Sequence, residues 1–307
     1  MSRRLAGLAL ALYPLAFRRR YGEEMRALLD QTPPGALTVL DLLRGAVAAH
    51  LRPSPGLAGV VDVGDRLRAS MSGVLACWVV FAAAGFGFYK TTEDHPFEVA
   101  AGAHTVLGGA HLGIQVLAIL ASVAVLVGAI PLSMLALHRA RRQPSLRVLV
   151  SLPIVAVAVF AGLTGILILV AHSQHSQHSQ HSSTAGGIAF IAWGLAGLAC
   201  GAVCVLASRG ALFAMPVTRG WLLVAFACGA LATAVMAAIA IATAIYTIAL
   251  SVDAVALAGE PNGPLQATSV SVSLIEQLIV MVIAGALAAV TTRRGWRAAS
   301  ELAAGAG

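Results

Sequence analysis

Six long apolar stretches, at 72–89, 112–137, 148–171, 186–207, 221–250 and 270–292, divide this chain of 307 residues. Five contain no charged residue, and the sixth contains only Glu276. A helix rises ~1.5 Å per residue and the hydrocarbon core of a bilayer is ~30 Å thick, so about 20 apolar residues cross it. The stretch 72–89 barely reaches that length, whereas 221–250 exceeds it and is expected to tilt or protrude. Segments of about ten residues with alternating polarity, the mark of a membrane barrel, are absent from the sequence. The expected fold is all-α: a polytopic membrane protein with six transmembrane helices behind a short N-terminal cytoplasmic helical segment.

Composition agrees. Hydrophobic residues make up 59% and charged residues 11%, against roughly 25% charged in soluble proteins. If each stretch crosses the bilayer, one face receives all nineteen arginines and seven acids. The other receives Lys90 with Glu93, Asp94, Glu98, Asp253 and Glu260. Excess Lys and Arg marks the cytoplasmic face of short loops, so both termini are expected in the cytoplasm of a bacterial cell, with the bundle in its plasma membrane. The net charge of +7 thus becomes an insertion signal, with attraction to anionic lipid as a by-product. No nucleic-acid recognition motif accompanies it, and nucleic acid is not an expected partner. Cys77, Cys200, Cys204 and Cys228 all fall in expected spans, where small residues at helix contacts account for them.

Residues 1–71 read as a separate cytoplasmic unit of amphipathic helices, 72–292 as the transmembrane domain and 293–307 as a basic cytoplasmic tail. Arg3 and Arg4 followed by LAGLALALYPLAF resemble the start of a signal peptide. The run is short, contains Pro14 and continues into Arg18, Arg19 and Arg20, so it is expected to stay uncleaved on the cytoplasmic side. A helix at about 15–30 would carry an apolar stripe of Phe17, Tyr21, Met25 and Leu28. Thr32-Pro33-Pro34-Gly35 ends it, and a second helix at about 37–51 would align Leu40, Leu43, Val47 and Leu51.

Two stretches offer chemistry. The repeat HSQHSQHSQHSS holds His172, His175, His178 and His181. Imidazole is a common transition-metal ligand, and helical spacing would let neighbouring pairs share an ion, though an inert solvated loop fits the repeat equally. Glu276 is the one ionisable group inside a span, and such groups are costly there. Ser273 and Gln277 lie beside it, and Thr243, Tyr246 and Thr247 fall at comparable depth on the preceding span. These residues are expected to line an outward-facing polar pocket, with Glu276 as its protonatable group. The plainer alternatives are an interhelical hydrogen bond or a Glu276 side chain reaching the interface. Gly194, Gly197 and Gly201 share a helix face, as do Gly109 and Gly113, and small residues let helices approach. No nucleophile–base motif or phosphate-cradling loop occurs, so neither an enzyme nor a cofactor is expected.

One segment is familiar. Tyr13-Pro14-Leu15-Ala16-Phe17-Arg18-Arg19-Arg20-Tyr21-Gly22-Glu23-Glu24-Met25, followed by DLLRGAVAAHLR at 41–52, resembles the YPxxFRxxYGxEM-like opening of bacterial membrane proteins with a permease prefix domain. It is also similar to the start of uncharacterised polytopic proteins of actinobacteria. The likeness covers about forty residues. Full permeases of that prefix class resemble export-type permeases with four spans and a large extracytoplasmic domain, and this chain departs from both features. Arg18, Arg19, Arg20 and Tyr21 would then face lipid phosphates or a cytosolic partner.

These readings lead to a permease-like membrane protein without its own ATPase, or else a membrane-anchored regulatory protein whose N-terminal segment binds a soluble factor. The expected partners are the lipid bilayer, a cytosolic regulator or ATPase subunit, and a second copy of the chain.

Overall fold

The computed structural model describes residues 6–7, 9–10, 13, 15–31, 35–51, 63–175, 184–215, 217–262 and 268–304. Two helices come first, α1 (Leu15–Gln31) and α2 (Ala36–Leu51), within a residue of the lengths their punctuation implied. Leu10, Tyr13, Phe17, Met25 and Leu42 pack together at their junction. The α1 stripe is only half used, because Leu28 is exposed. On α2, Leu42 faces the partner helix in place of Leu40, which is exposed. Burial, and then the Asp41 carboxylate, pushes the Tyr13 phenol above its ordinary value.

The membrane-type helices are α3 (Val63–Thr92), α5 (Thr105–Ala140), α6 (Pro144–His175), α7 (Thr184–Ala214), α8 (Arg219–Asp253) and α10 (Val270–Ala304). All six are long and apolar enough to cross a bilayer. Short α4 (His95–Ala103) bridges α3 to α5, and α9 (Val255–Gly259) follows α8. The two-residue strands β1 (Pro261–Asn262) and β2 (Thr268–Ser269) pair antiparallel ahead of α10. The chain is an all-α, multi-pass membrane protein.

Each membrane helix overruns its apolar stretch. The first begins at Val63 rather than 72, and the last continues through Ala304. Residues 293–304 therefore continue the last helix beyond its apolar stretch. Hydropathy marks where a helix meets lipid, whereas Ala, Arg, Leu and Glu continue helical geometry wherever no breaker intervenes.

Helices α3, α5, α8 and α10 form the core. Tyr246, Leu107, Met236, Leu274 and Met281 have no measurable exposure and belong to one cluster across these helices. The α6–α7 hairpin closes the remaining side. In the most apolar window of each of these two helices no residue is buried. Trp193 holds the hairpin together: its Nε1 donates to Thr164 Oγ1 at 2.9 Å, and its ring stacks on Phe160 at 5.2 Å. Of the glycines expected at helix contacts, Gly197 and Gly201 serve. A β-carbon at Gly197 would stand 3.0 Å from Phe160 on α6, and one at Gly201 would stand 2.5 Å from Val79 on α3. Gly109, Gly113 and Gly194 face open space.

The two ends of the bundle differ in charge. The start of α3, the α5–α6 connection, the end of α7, the start of α8 and the end of α10 carry the arginines beyond residue 62. Arg66 pairs with Glu301 at 3.6 Å, Arg68 Nη2 donates to the Met215 carbonyl at 3.3 Å, and Ser70 Oγ donates to the Thr291 carbonyl. At the opposite end lie Lys90 paired with Glu93, and His104 with its Nδ1 at 3.9 Å from Asp253 Oδ2.

Candidate functional site

Two regions of the bundle bring chemistry together, one at each end. At the acidic end, Thr91 near the close of α3 is the centre. Gln277 Nε2 on α10 donates to Thr91 Oγ1 at 3.1 Å, and Asn262 Nδ2 on β1 donates to the same oxygen at 3.3 Å. Thr91 returns its proton to the Gly87 carbonyl at 3.0 Å, the back-bond that a threonine makes within a helix. Ser273 lies 3.0 Å from Thr268 on β2. The hairpin is thereby pinned across the ends of α3 and α10.

The expected pocket residues fall into two groups. Ser273 and Gln277 do face the bundle, but their partners lie on α3 and the hairpin. No hydrogen bond among the described residues joins them to Thr243, Tyr246 or Thr247. Those three are buried, and Thr247 Oγ1 donates to the Thr243 carbonyl of its own helix at 2.8 Å. Thr243 Oγ1 and the Tyr246 hydroxyl are enclosed without a hydrogen-bond partner among the described residues. Tyr246 is held by its ring, edge-on to Phe88 at 5.1 Å and tilted against His111 at 5.9 Å.

Glu276 is exposed and engages no hydrogen bond or ion pair among the described residues. The reason is angular. Successive residues turn about 100° around a helix of 3.6 residues per turn, so Glu276 and Gln277 fall on opposite sides of the direction set by Ser273. The amide is turned toward α3 and the carboxylate outward. At six residues from Val270, or ~9 Å of helix, a glutamate can reach the interface by extending its side chain.

The histidine repeat divides. His172 and His175 lie in the last turns of α6, whereas His178 and His181 fall outside the described residues. Arg18, Arg19 and Arg20 lie on α1 next to Tyr21, whose ring contacts Phe17 at 4.9 Å.

At the basic end the bundle opens into a chamber that sequence reasoning did not anticipate. Its volume is about 400 Å³, inside the range of ~300–1,000 Å³ usual for small-ligand pockets. Five membrane helices form its walls: α3, α5, α6, α7 and α8. Trp78 and Ala124 stand toward the acidic end, Met71, Leu137, Leu149 and Met215 toward the basic end. The walls are almost wholly apolar, with three serines and one charged side chain, Arg209. Proline at position 153 on the α6 wall has no N–H to give to the Leu149 carbonyl. The guanidinium of Arg209 lies 5.8 Å over the Phe213 ring.

The apolar stretch stops at 207, two residues short of Arg209. The first proline after it is Pro216, and α7 continues to Ala214. That places Arg209 about 7 Å inside the helix end. The lack of a proline before 216 is the signal that could have located it, since an isolated glycine such as Gly210 is tolerated within a helix.

No protein-family model, curated protein or solved structure matches the chain.

Proposed function

We propose that this chain is a permease-like protein of the bacterial plasma membrane, lacking an ATPase of its own and presenting its chamber to the cytoplasm. The observation that carries the reading is the chamber itself. Five crossing helices converge on a cavity at one end of the bundle, while the other end is closed by α4, α9 and the hairpin pinned through Thr91. A cavity at one end and a hydrogen-bonded plug at the other is the form of one state of an alternating-access cycle. The arginine asymmetry supports the orientation, because the chamber lies at the arginine-bearing end, the cytoplasmic one by the positive-inside rule. The likeness of residues 13–52 to the permease prefix opening points the same way.

Thiol labelling tests it. Cys228 lines the chamber and should react with a membrane-impermeant maleimide in inverted vesicles and not in right-side-out ones, with Cys228→Ser removing the signal. A Ser273→Cys variant, behind the plug, should label slowly from the opposite side if the bundle alternates. Labelling of Cys228 from the cytoplasmic side together with a Ser273→Cys position that never reacts from outside would end the permease reading.

Exposed leucines favour a second reading, in which the N-terminal helices dock a cytosolic regulator or ATPase subunit. Leu37 is 83% exposed and Leu40 66%, more than a helical pair lying only against its own membrane domain requires. Deleting residues 1–60 should strip one or more proteins from the set that co-purifies from native membranes. An unchanged set would dispose of the docking role.

A further inference from the structure

A second recess lies on the outer surface of the bundle, away from the chamber. Helix α8 leaves the arginine-bearing end where α10 returns to it, and a groove of about 610 Å³ runs between them. Ala234, Ala237, Gly285 and Ala289 line its apolar part, and the three alanines are exposed. A β-carbon on Gly285 would meet nothing within 4 Å, so no described residue covers the groove there. Thr292, Arg293, Trp296 and Arg297 line its other end. From Gly285 to Arg297 is about 18 Å of helix, close to the ~15 Å of hydrocarbon in one leaflet. Arg293 follows directly on the apolar stretch that ends at 292. The alanine part therefore faces acyl chains, and the arginine part stands at the level of the headgroups.

The polar end carries one sign of charge. Arg293 and Arg297 are four residues apart and share a helix face. Both are exposed, no carboxylate lines the groove, and neither engages a hydrogen bond or ion pair among the described residues. Glu301, the one acid farther along α10, is taken by Arg66 at 3.6 Å. Thr233 Oγ1 donates to the Gly229 carbonyl at 2.9 Å, so its 3.0 Å contact with Thr292 Oγ1 uses the Thr292 proton. The donors left to a ligand are the two guanidinia and the indole N–H of Trp296, which is 65% exposed. A guanidinium presents a planar fork suited to phosphate oxygens, and tryptophan favours the headgroup level. We propose that the groove seats one anionic phospholipid of the leaflet at the arginine-bearing end. Its phosphate lies between Arg293 and Arg297, and one acyl chain runs along Ala289 and Gly285. Basic recesses between membrane helices suit such headgroups. A zwitterionic lipid brings an ammonium group that offsets its phosphate, and a soluble anion forgoes the apolar half of the groove. The site is independent of the chamber and of any transport.

Trp296 supplies the readout, because bromine quenches tryptophan on contact. The intact protein is placed in phosphatidylcholine nanodiscs with increasing fractions of phosphatidylglycerol brominated on one chain close to the glycerol. A parallel series uses phosphatidylcholine brominated in the same way. Trp296→Phe protein identifies the part of the signal that belongs to the groove. The anionic lipid should reach half of its full quenching at about tenfold lower mole fraction than the zwitterionic one, as two arginines near an anionic headgroup would give. Arg293→Gln combined with Arg297→Gln should bring the two lipids to equal fractions. Arg294→Gln removes the same charge from a neighbouring position outside the groove and should leave the preference intact. Gly285→Leu has open space for its side chain and occupies the place of the acyl chain, so it should remove most of the preference. Inorganic phosphate, compared with chloride at equal ionic strength, should not reverse the quenching.

Equal quenching by the two lipids overturns the proposal. So does a preference lowered as much by Arg294→Gln as by Arg293→Gln, which marks general attraction to the surface. A preference that survives Gly285→Leu in a protein of native helicity does the same, because no chain then lies in the groove. Reversal by inorganic phosphate would assign the arginines to a soluble anion and overturn the lipid site as well.

Discussion

Tyr246→Ala should lower the stability of the bundle by about 3–5 kcal/mol, the usual cost of truncating a fully buried aromatic. Tyr246 is the largest of the side chains with no exposure. It stands where α8 meets α3 and α5, edge-on to Phe88 and against His111. In a bilayer the loss is one of packing, because helix association there draws on van der Waals contact instead of exclusion from water. Tyr246 lies in one buried cluster with Leu107, Leu250 and Leu274, all without exposure, so lipid chains should not reach the void. Tyr246→Phe should behave oppositely. It keeps the ring and deletes a hydroxyl enclosed without a hydrogen-bond partner among the described residues, so stability should hold or rise by about 1 kcal/mol. Thermal unfolding of purified protein in one detergent, read by circular dichroism for all three proteins, measures both. A phenylalanine variant as unstable as the alanine one would show that the hydroxyl, not the ring, is what the site requires.

Gly128→Leu should be nearly as damaging, at about 3 kcal/mol, and for the reverse reason. Gly128 lies on α5 where that helix comes closest to α8. A β-carbon there would fall 2.9 Å from Cys228 Cβ and 3.6 Å from the Ala225 carbonyl oxygen. The first of these atoms is fixed to the α8 backbone, so no rotamer change relieves the clash and the helices must separate. Gly113 provides the control on the same helix. Nothing lies within 4 Å of its added β-carbon, so Gly113→Leu should cost almost nothing and gain slightly in helix propensity. Equal melting temperatures for the two variants would mean that the α5–α8 contact is not as close as the structure places it. Because Gly128 and Cys228 both line the chamber, Gly128→Leu should also change the reactivity of Cys228.

The membrane architecture was legible because bilayer crossing makes a demand that composition alone can meet: about 20 residues with little charge. All six stretches became helices. Their ends were not legible, since a helix stops where a breaker or cap intervenes and hydropathy is silent on both. Thr91 and Asn262 illustrate a second kind of blindness. They are ordinary polar residues beyond the ends of the apolar stretches, and only the fold brings them to Gln277. For Glu276 the local spacing was ambiguous, because adjacent positions flank the direction of Ser273 and nothing in the chain says which one α3 will meet. The chamber lay furthest from view. Its walls come from five helices and consist of the same alanine, leucine and valine that fill every span. Arg209 alone could have marked it, had the lack of a proline between 207 and 216 been weighed.

The α6–α7 hairpin has a consequence for how the molecule answers to its surroundings. Its most apolar windows bury nothing in the protein, so lipid borders it there, while Leu146, Ala211, Leu212 and Met215 anchor its arginine-bearing end to the core. Membrane helices adjust tilt to bilayer thickness at a cost of only fractions of a kcal/mol per Å. Yet Leu149, Pro153 and Ile154 on α6, with Leu212 and Met215 on α7, form one side of the chamber. The opposite side belongs to helices locked together through Tyr246, Met236 and Met281. The cavity is thus built like a vice with one jaw enclosed by protein and one jaw anchored at its end but bordered by lipid along its length. The thickness and lateral pressure of the membrane turn its screw, so the same sequence would hold a narrower space in one lipid mixture and a wider one in another.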